Sequence, residues 1–465
     1  MLAKIVLVPL VAVLGVAIVP TLCIAQLPPL HWELTEIVDA PVSEVSPGEG
    51  SSILFAEDLW HVVYVKSGQV YYRAHNESEW LPSVLLTGGP GVSHSPQLAA
   101  DHDHLHVVWE DERTGHSEIW TRRWNGSFWS PESCLTCDED ISRTVVITGS
   151  GYRTVIAWEE QAAGISQIHS RVFTTSAWGP VDVLSPDSTD AYEPSLTTHA
   201  PDEWVTLAWA DARHGEEEIY TRTLEGLLWS DESRLTDLPG SCRHPSVHAE
   251  WCCGDVISPR AFVAFENDQS GTTETYGICT DGWSPAVELT PIDGVPSVGP
   301  NLSGFTFWAW NCFPFGGEQN YFFLTWTDQS TPGTGSHHLS RSLDPGETDI
   351  IAPGLDDVTV GVHGGFETER ARVLLLWIED RAGTPTLVAR RGEQIGCFRI
   401  ELTSVPPALL LTPSGSPSNH LTLTDGCSGS PANGFEVELE FDPALEADLN
   451  WDTPFGSPPF SDRSD

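Results

Sequence analysis

Positive charge is scarce in this chain of 465 residues. Its 22 lysines and arginines stand against 66 aspartates and glutamates, which gives a formal net charge of −44 at pH 7. Only Lys4 and Lys66 are lysines. A surface this anionic repels phosphate backbones and anionic lipid, so nucleic-acid binding and membrane-surface binding are not expected. The same surface favours solubility and is compatible with cation binding.

Long apolar runs are missing after the first 25 residues. Residues 1–25 hold one early cation, Lys4, and then an apolar run from Ile5 to Val19. This pattern predicts a cleaved secretory signal and therefore a secreted protein, extracellular, periplasmic or at the cell surface. An uncleaved anchor helix and a lipoprotein are the alternatives. The lipoprotein is disfavoured because Leu22 stands where a small residue should precede Cys23.

Recognised catalytic motifs are missing as well. The sequence has no Gly-x-Ser-x-Gly, His-Glu-x-x-His, P-loop or EF-hand pattern. Nine of the ten cysteines follow the signal, an odd number that predicts several disulfides and one free thiol in an exported protein. Cys134 and Cys137 have CxxC spacing, but a zinc site would need a second pair at matching spacing, which is not apparent.

Tryptophan, in contrast, is abundant, with 19 residues against a single methionine. Many of these tryptophans end an apolar run, a pattern typical of a buried strand. The seven copies of this run are His61–Tyr64, His106–Trp109, Val155–Trp158, Thr206–Trp209, Phe262–Phe265, Phe323–Trp326 and Leu374–Trp377. Neighbouring copies are between 45 residues (Tyr64 to Trp109) and 61 residues (Phe265 to Trp326) apart, a period typical of a propeller.

Two further motifs follow several of these runs. The first is acid-x-Arg-x-Gly, in which a glycine among polar residues predicts a hairpin turn. Its acids and arginines are Asp111 and Arg113, Asp211 and Arg213, and Glu379 and Arg381. The second is a tryptophan followed seven residues later by a hydroxyl residue, as in Trp129 and Thr136, which predicts a short outer strand.

The three motifs together predict an all-β fold, a β-propeller with seven four-stranded blades over about residues 46–400 and with six blades as the alternative. The ring can be closed by residues 31–37 or by Leu402 and Thr403. We favour closure by the N-terminal residues because it ties the two ends of the ring together.

Two repeats carry a family resemblance. Residues Asp111–Arg122 and Asp211–Arg222 resemble the neuraminidase-type repeats of secreted bacterial sialidase-like β-propellers. The resemblance covers about residues 46–400 and implies the propeller fold. It does not extend to the Asp-box of sialidases, because Trp124 and Leu224 stand where its aspartate should be. The arginine triad, acid and Tyr/Glu nucleophile pair of that family cannot be placed on this sequence.

The predicted domain order has four parts. They are a signal peptide over residues 1–25, the propeller over 26–403, a Pro/Ser-rich linker over 404–420 and a short β-rich segment with a loose acidic tail over 421–465. The last segment resembles part of an immunoglobulin-like module, and it is too short to form a core alone.

Residues of the repeated turns are the ligand-binding candidates. They are Asp111, Arg113, Glu118, Asp211, Arg213, Glu218, Glu379 and Arg381. In a propeller these turns share a rim with the connections between blades, where carboxylates and guanidinium groups could bind the hydroxyls of a glycan. The structural interpretation is that each pair stabilises its own hairpin, and repetition in several blades favours it. The repeated tryptophans are expected in the core between blades.

A metal site is a weaker prediction. His102, His104 and His106 alternate along a strand, so their side chains would share one face at a spacing that suits a metal ion. The alternative is a turn leading into a strand with one packed histidine, because His61 takes the place of His106 in the first unit. Calcium is compatible with the carboxylate density, and no other cofactor is indicated.

These observations favour a secreted, non-catalytic propeller that binds a glycan or a protein partner on one rim. Degenerate repeats and the lack of a catalytic cluster are the reasons, although enzyme activity stays open. One alternative is a sialidase-like glycoside hydrolase or lyase, for which Tyr71, Tyr152, Tyr192 and Tyr321 are the residues to inspect. The other is a structural cell-surface protein. The fold alone cannot choose among the three.

Overall fold

The structure is a computed structural model of the chain. It describes residues 31–45, 52–76, 78–174, 177–199, 204–250, 260–280, 285–309, 317–329, 335–340, 348–354, 359–364, 371–394, 398–403 and 420–425. Within these ranges the regular elements are β-strands, which confirms the all-β prediction. No helix in the described part of the chain is long and apolar enough to cross a bilayer. The predicted signal peptide, most of the linker and the end of the tail lie outside the described residues.

Seven antiparallel sheets of four or five strands follow one another along the chain, and we name them blades 1 to 7. Blade 1 holds Ile53–Ala56, Leu59–Lys66, Gln69–His75 and Val84–Leu85. Blade 2 holds Ser93–Ala100, Leu105–Asp111, Glu118–Trp124 and Ser133–Cys134. Blade 3 holds Ile141–Ser150, Arg153–Ala162, Ile165–Thr174, Ala177–Trp178 and Asp182–Val183. Blade 4 holds Ala191–His199, Trp204–Asp211, Glu218–Glu225, Leu228–Trp229 and Ser233–Arg234.

The remaining sheets have the same order of strands. Blade 5 holds Cys242–Glu250, Arg260–Asn267, Glu274–Cys279 and Val287–Glu288. Blade 6 holds Ser297–Ala309, Gly317–Asp328, Gly335–Ser340 and Thr348–Gly354. Blade 7 holds Thr359–Gly364, Ala371–Asp380 and Pro385–Gln394, together with the N-terminal strands His31–Trp32 and Glu36–Asp39. The first strand of each blade contacts the first strand of the next, and that of blade 7 contacts that of blade 1, so the first strands are innermost.

The N-terminal strands complete blade 7, as predicted. Residues Glu36 and Ile37 pair with Ala389 and Val388, and the Arg391 guanidinium forms an ion pair with Glu36, 2.9 Å away. The competing closure by Leu402 and Thr403 is wrong, because these residues lie in Phe398–Thr403, which pairs with His420–Asp425 in a separate two-stranded sheet. Blade 7 is therefore built from strands at the two ends of the propeller sequence, so the ring closes only when both ends are in place.

The repeated aromatic residues form the core between blades. Trp109, Trp158 and Trp209 are at most 1% exposed, and each ends the apolar run of a second strand. Trp158 of blade 3 packs with Val108 of blade 2 in one such cluster. This confirms the expectation that the tryptophans belong to the core, and it means that their faces cannot stack on a ligand.

One disulfide and one buried thiol can be described. Cys134 and Cys137 form a disulfide, so the CxxC pair has no free thiolates for a metal. Cys242 is a buried free thiol, whose Sγ accepts a hydrogen bond from Asn267 Nδ2 at 3.3 Å. Burial raises the pKa of this thiol to about 11.

Candidate functional site

The register of the first two strands defines two rims of the ring. In blade 2 the first residue of the first strand, Ser93, pairs with the last residue of the second strand, Asp111, and Ala191 pairs with Asp211 in the same way in blade 4. The acid-x-Arg-x-Gly turns and the starts of the innermost strands therefore lie on one rim, which we call the hairpin rim. The turns between first and second strands lie on the opposite rim.

The predicted ligand-binding pair of blade 2 is engaged within its own hairpin. Asp111 is 1% exposed and accepts hydrogen bonds from Arg113 Nε at 2.8 Å and Nη2 at 2.7 Å, and from Ser93 Oγ at 2.9 Å. Arg113 also forms an ion pair with Glu132 and lies over the ring of Trp120, 4.2 Å from its centroid. Although burial opposes it, the hydrogen bond from Arg113 lowers the pKa of Asp111.

The other copies of the pair differ in exposure. Arg213 of blade 4 repeats every contact, to Asp211, to Glu232 and to the ring of Tyr220. In blade 7 the Arg381 side chain is 42% exposed and pairs with Glu379. The turn itself is as predicted, since Gly115 and Gly215 have φ near +100°, a conformation that favours glycine. Blades 2 and 4 thus use the pair to hold the hairpin; ligand binding by these residues stays a prediction.

Glu118 and Glu218 are also internal. Glu118 is 0% exposed and accepts hydrogen bonds from Thr136 Oγ1 at 2.6 Å and His116 Nε2 at 2.7 Å. Glu218 accepts hydrogen bonds from Thr236 and from Arg234 Nη2, the latter at 2.6 Å.

The hydroxyl residues that follow a tryptophan by seven positions have a shared role that the sequence did not predict. The hydroxyl oxygen of each accepts a hydrogen bond from a backbone N–H of the third strand. These bonds join Val70 to Thr87, Ile119 to Thr136, Ile168 to Ser185, Ile219 to Thr236 and Thr275 to Thr290.

Blade 3 lacks the arginine of the acid-x-Arg-x-Gly turn. Its acid is Glu160, which accepts hydrogen bonds from Ser142 Oγ and Trp158 Nε1, both at 2.7 Å, while Ala162 stands in place of the arginine. Ligand atoms of Asp138, Asp140 and Glu160 lie within 4.8 Å of one another. Burial raises the pKa of Glu160. Calcium stays a prediction, and among the described residues these three carboxylates form a group that could bind it.

The innermost strands carry a feature that sequence reasoning missed. In blades 2 to 6 the innermost strand begins with a β-bulge whose residue has a positive φ, and the backbone N–H of that residue donates to a carboxylate supplied from outside its own blade. The donor–acceptor pairs are Ser95 with Glu44, Thr144 with Glu110, Glu193 with Glu159, His244 with Glu193 and Gly299 with Glu266. A non-glycine residue with positive φ is uncommon, so its recurrence at the same place in several blades distinguishes the bulge from the rest of the strand. The available signals were a proline after most of these residues and an acid after the aromatic of several runs.

Exposed histidine and arginine side chains lie at three of these bulges. His94 pairs with Glu44 at 3.3 Å and Arg143 with Glu159 at 3.0 Å, and their side chains are 42% and 45% exposed. His244, 51% exposed, lies between Glu193 and Glu266, with each ring nitrogen 3.1 Å from one carboxylate. These groups lie at the starts of the innermost strands of blades 2, 3 and 5, on the hairpin rim, and we call that end of the innermost strands the mouth of the central channel. We call His94, Arg143 and His244 the mouth residues.

Burial and hydrogen bonds to carboxylates shift the pKa values of several groups at the mouth. The hydrogen bond to Glu266 raises the pKa of His244, and burial raises the pKa of Glu193 and of Glu110. Tyr192 precedes the bulge of blade 4 and is hydrogen-bonded to Glu217. Tyr152 lies instead in the turn after Ser150, on the opposite rim, so the four tyrosines proposed for a hydrolase are not brought together.

The three histidines of the predicted metal site separate into two groups on the opposite rim. His102 is exposed, pairs with Asp103 at 3.0 Å and stacks on Tyr152 at 4.7 Å. His104 and His106 point instead to the carboxylate of Asp101. Although burial opposes it, the hydrogen bond from His106 lowers the pKa of Asp101, and burial lowers the pKa of His106. The cluster of possible metal ligands therefore consists of Asp101, His104 and His106, and His102 is not part of it.

No protein-family model matches this chain, and no curated protein matches its sequence. Solved structures similar to it include an endo-arabinase from Bacteroides thetaiotaomicron, at 10% identity over 56% of this chain and 99% of that one, with a TM-score of 0.32. A Trypanosoma rangeli sialidase has 10% identity over 64% of this chain and 53% of that one, with a TM-score of 0.40. The Aleuria aurantia lectin has 11% identity over 68% and 96%, with a TM-score of 0.41.

Proposed function

We propose that this chain is an exported propeller that binds a glycan at the mouth of the central channel on the hairpin rim. The observation that supports it is the recurrence of hydrogen-bonding side chains, His94, Arg143 and His244, at the starts of the innermost strands. They come from blades 2, 3 and 5, and each is exposed and held by a carboxylate. Lysine and arginine are rare in this chain, so the position of Arg143 at this rim is notable.

The chemistry of the mouth suits hydroxyl-rich ligands. The guanidinium of Arg143 and the imidazoles of His94 and His244 donate hydrogen bonds, whereas the paired carboxylates accept them, so a sugar hydroxyl can find either partner. The ion pairs fix these side chains before binding, which reduces the ordering cost of association. The carboxylates also offset the local positive charge, so the site favours a neutral glycan over a strongly charged one.

A glycan array tests the proposal directly. We expect protein beginning at residue 26 to give a specific, titratable hit, and an arm with calcium tests whether the acidic hairpin rim needs a cation. Arg143→Ala should weaken binding by roughly 10- to 100-fold, the loss of a charge-assisted hydrogen bond. Arg153→Ala is the control, because Arg153 bonds Gly226 O between two turns on the opposite rim.

Two outcomes would contradict the proposal. An empty array from folded protein would move the function to a protein partner or a structural role at the cell surface. Equal loss of binding in the Arg143 and Arg153 variants would place the ligand elsewhere or indicate a general loss of stability.

Glycoside hydrolysis is the second candidate, and one observation favours it. Glu193 and Glu266 flank the ring of His244, and burial raises the pKa of Glu193, as a general acid requires. If the bound glycan is cleaved, Glu193→Gln should abolish the release of reducing ends while the glycan is still retained. Binding without turnover by the unaltered protein would leave the non-catalytic function.

A further inference from the structure

We propose that Asp101, His104 and His106 form a binding site for one late first-row divalent cation, with zinc as the reference ion. The site lies at the start of the second strand of blade 2, on the rim opposite the mouth residues. It is independent of the proposed glycan site.

The positions of the donor atoms support the proposal. His106 Nε2 lies 2.8 Å from Asp101 Oδ2, and His104 Nδ1 lies 3.3 Å from Asp101 Oδ1. One ligand atom from each of the three residues lies within 4.8 Å of the other two. Zinc–nitrogen and zinc–oxygen bonds of about 2.0–2.2 Å put the ligand atoms of a tetrahedral site roughly 3.3 Å apart. Small rotations of the two imidazoles therefore suffice to place a metal ion where hydrogen-bonding protons now lie.

The donor set selects the class of cation. Two imidazoles and one carboxylate suit zinc, nickel and copper, whereas calcium and magnesium prefer sites made of oxygen atoms. Asp101 and His106 are 2% and 0% exposed in their side chains, while His104 is 20% exposed. Three protein ligands with access on the His104 side leave a coordination position for water or a small ligand.

The surroundings hold the ligands in place across the seam between blades 2 and 3. Asp101 Oδ1 accepts the backbone N–H groups of Asp103 and His104, both at 2.8 Å, and Asp101 Oδ2 accepts the Thr154 hydroxyl of blade 3 at 3.3 Å. The His106 ring packs edge-on to Phe173 of blade 3, with centroids 4.9 Å apart. A bound ion would thus stabilise this seam.

One feature limits the affinity. Among the described residues, none is a hydrogen-bond partner of His106 Nδ1, whereas a metal-bound histidine usually donates its second N–H to an acceptor. The missing acceptor costs roughly 10- to 100-fold in affinity. We therefore expect zinc to bind in the micromolar range and more weakly than in a zinc finger.

The test is calorimetric titration of the untagged, EDTA-dialysed protein with zinc chloride, and with calcium chloride in a parallel arm. We expect one zinc per chain, a rise in melting temperature with zinc, and no comparable binding of calcium. Cobalt titration gives a second readout, because four-coordinate cobalt bound to nitrogen ligands has a distinctive visible absorption.

The variants separate the site from its neighbours. His104→Ala should weaken zinc binding at least tenfold and remove the cobalt signal. His102→Ala is the matched control, since His102 lies in the same turn but contacts Asp103 and Tyr152, and its affinity should stay within about twofold of the unaltered protein. His104→Gln, which keeps a polar side chain, replaces His104→Ala if the latter unfolds.

Three results would overturn the proposal. They are the lack of stoichiometric zinc binding at high micromolar concentration, an equal loss of affinity in the His102 variant, and calcium binding as tight as zinc binding. Any of them would leave Asp101 as a hydrogen-bonding centre for its turn.

Discussion

Arg213 lies over the ring of Tyr220, with its Cζ atom 4.1 Å from the ring centroid, while its Nε donates to Asp211 Oδ1 at 2.9 Å. Asp211 is 0% exposed, and both of its carboxylate oxygens accept hydrogen bonds from this guanidinium. Arg213→Ala should therefore destabilise the protein by about 3 kcal/mol, because it leaves a buried carboxylate without its partner. Chemical denaturation measures this loss.

The control for this prediction is Arg381→Ala. Arg381 holds the same place in blade 7 but is 42% exposed, and exposed ion pairs contribute at most about 1 kcal/mol. Glycan binding should be unchanged in the Arg213 variant if the pair is structural. Lost binding with unchanged stability would instead restore Arg213 as a ligand contact.

The hydroxyl of Thr236 is expected to matter more than its methyl group. It accepts the Ile219 N–H at 2.8 Å and donates to Glu218, and both bonds are buried. Thr236→Val should cost about 1–3 kcal/mol in the free energy of unfolding, because a buried N–H and a carboxylate oxygen lose their partner. Thr236→Ser should recover most of the loss, since Ser185 fills the same role in blade 3. A valine variant as stable as the serine variant would contradict this role.

Stability should fall with rising pH through the titration of His244. The hydrogen bond to Glu266 raises its pKa above the usual 6.5, so protonation favours the folded state. The contribution is complete below about pH 6.5 and is lost as the pH rises through the folded-state pKa. Glu193 and Glu266 face the ring, and Arg243 nearby opposes the shift.

The measurement is the melting temperature from pH 6 upward for the unaltered protein and for His244→Gln. The difference between the two should shrink as the pH rises. His116 also has a raised pKa, beside Glu118, and it is present in both proteins, so it cancels from the difference. A difference in melting temperature that does not change with pH would show that the titration of His244 does not contribute to the pH dependence of stability.

The Cys134–Cys137 disulfide closes a loop with a sequence separation of three. Chain entropy predicts about 2 kcal/mol of stabilisation for so small a loop. Mass spectrometry after alkylation without reduction should show these two thiols protected, and Cys134→Ala with Cys137→Ala should match the reduced protein in stability. Full alkylation of both residues in the native protein would contradict the bond.

The blades could be predicted from the sequence because they are local. An apolar run ending in tryptophan, a glycine turn and an outer strand all lie within about fifty residues, and hydrophobic periodicity reports such order directly. The pairing of Asp111 with Arg113 was visible for the same reason, since the two residues lie two positions apart. Whether that pair faces a ligand or a buried carboxylate network depends on Glu132, which lies outside the hairpin and is not positioned by it.

Only the tertiary structure decided the contacts between blades. Glu44 reaches Ser95, and Glu110 reaches Thr144, across separations of 51 and 34 residues. Asp101 joins His104 and His106 in place of His102 because a turn, rather than a continuous strand, reverses the chain there. The repeat, the strand order and the core tryptophans could be read from the sequence, since they follow from short-range pattern. The Asp101 group lies within six residues, but it depends on the geometry of its turn. The bulge contacts at the channel mouth form only when separate segments are brought together, and a linear pattern does not encode which segments will meet.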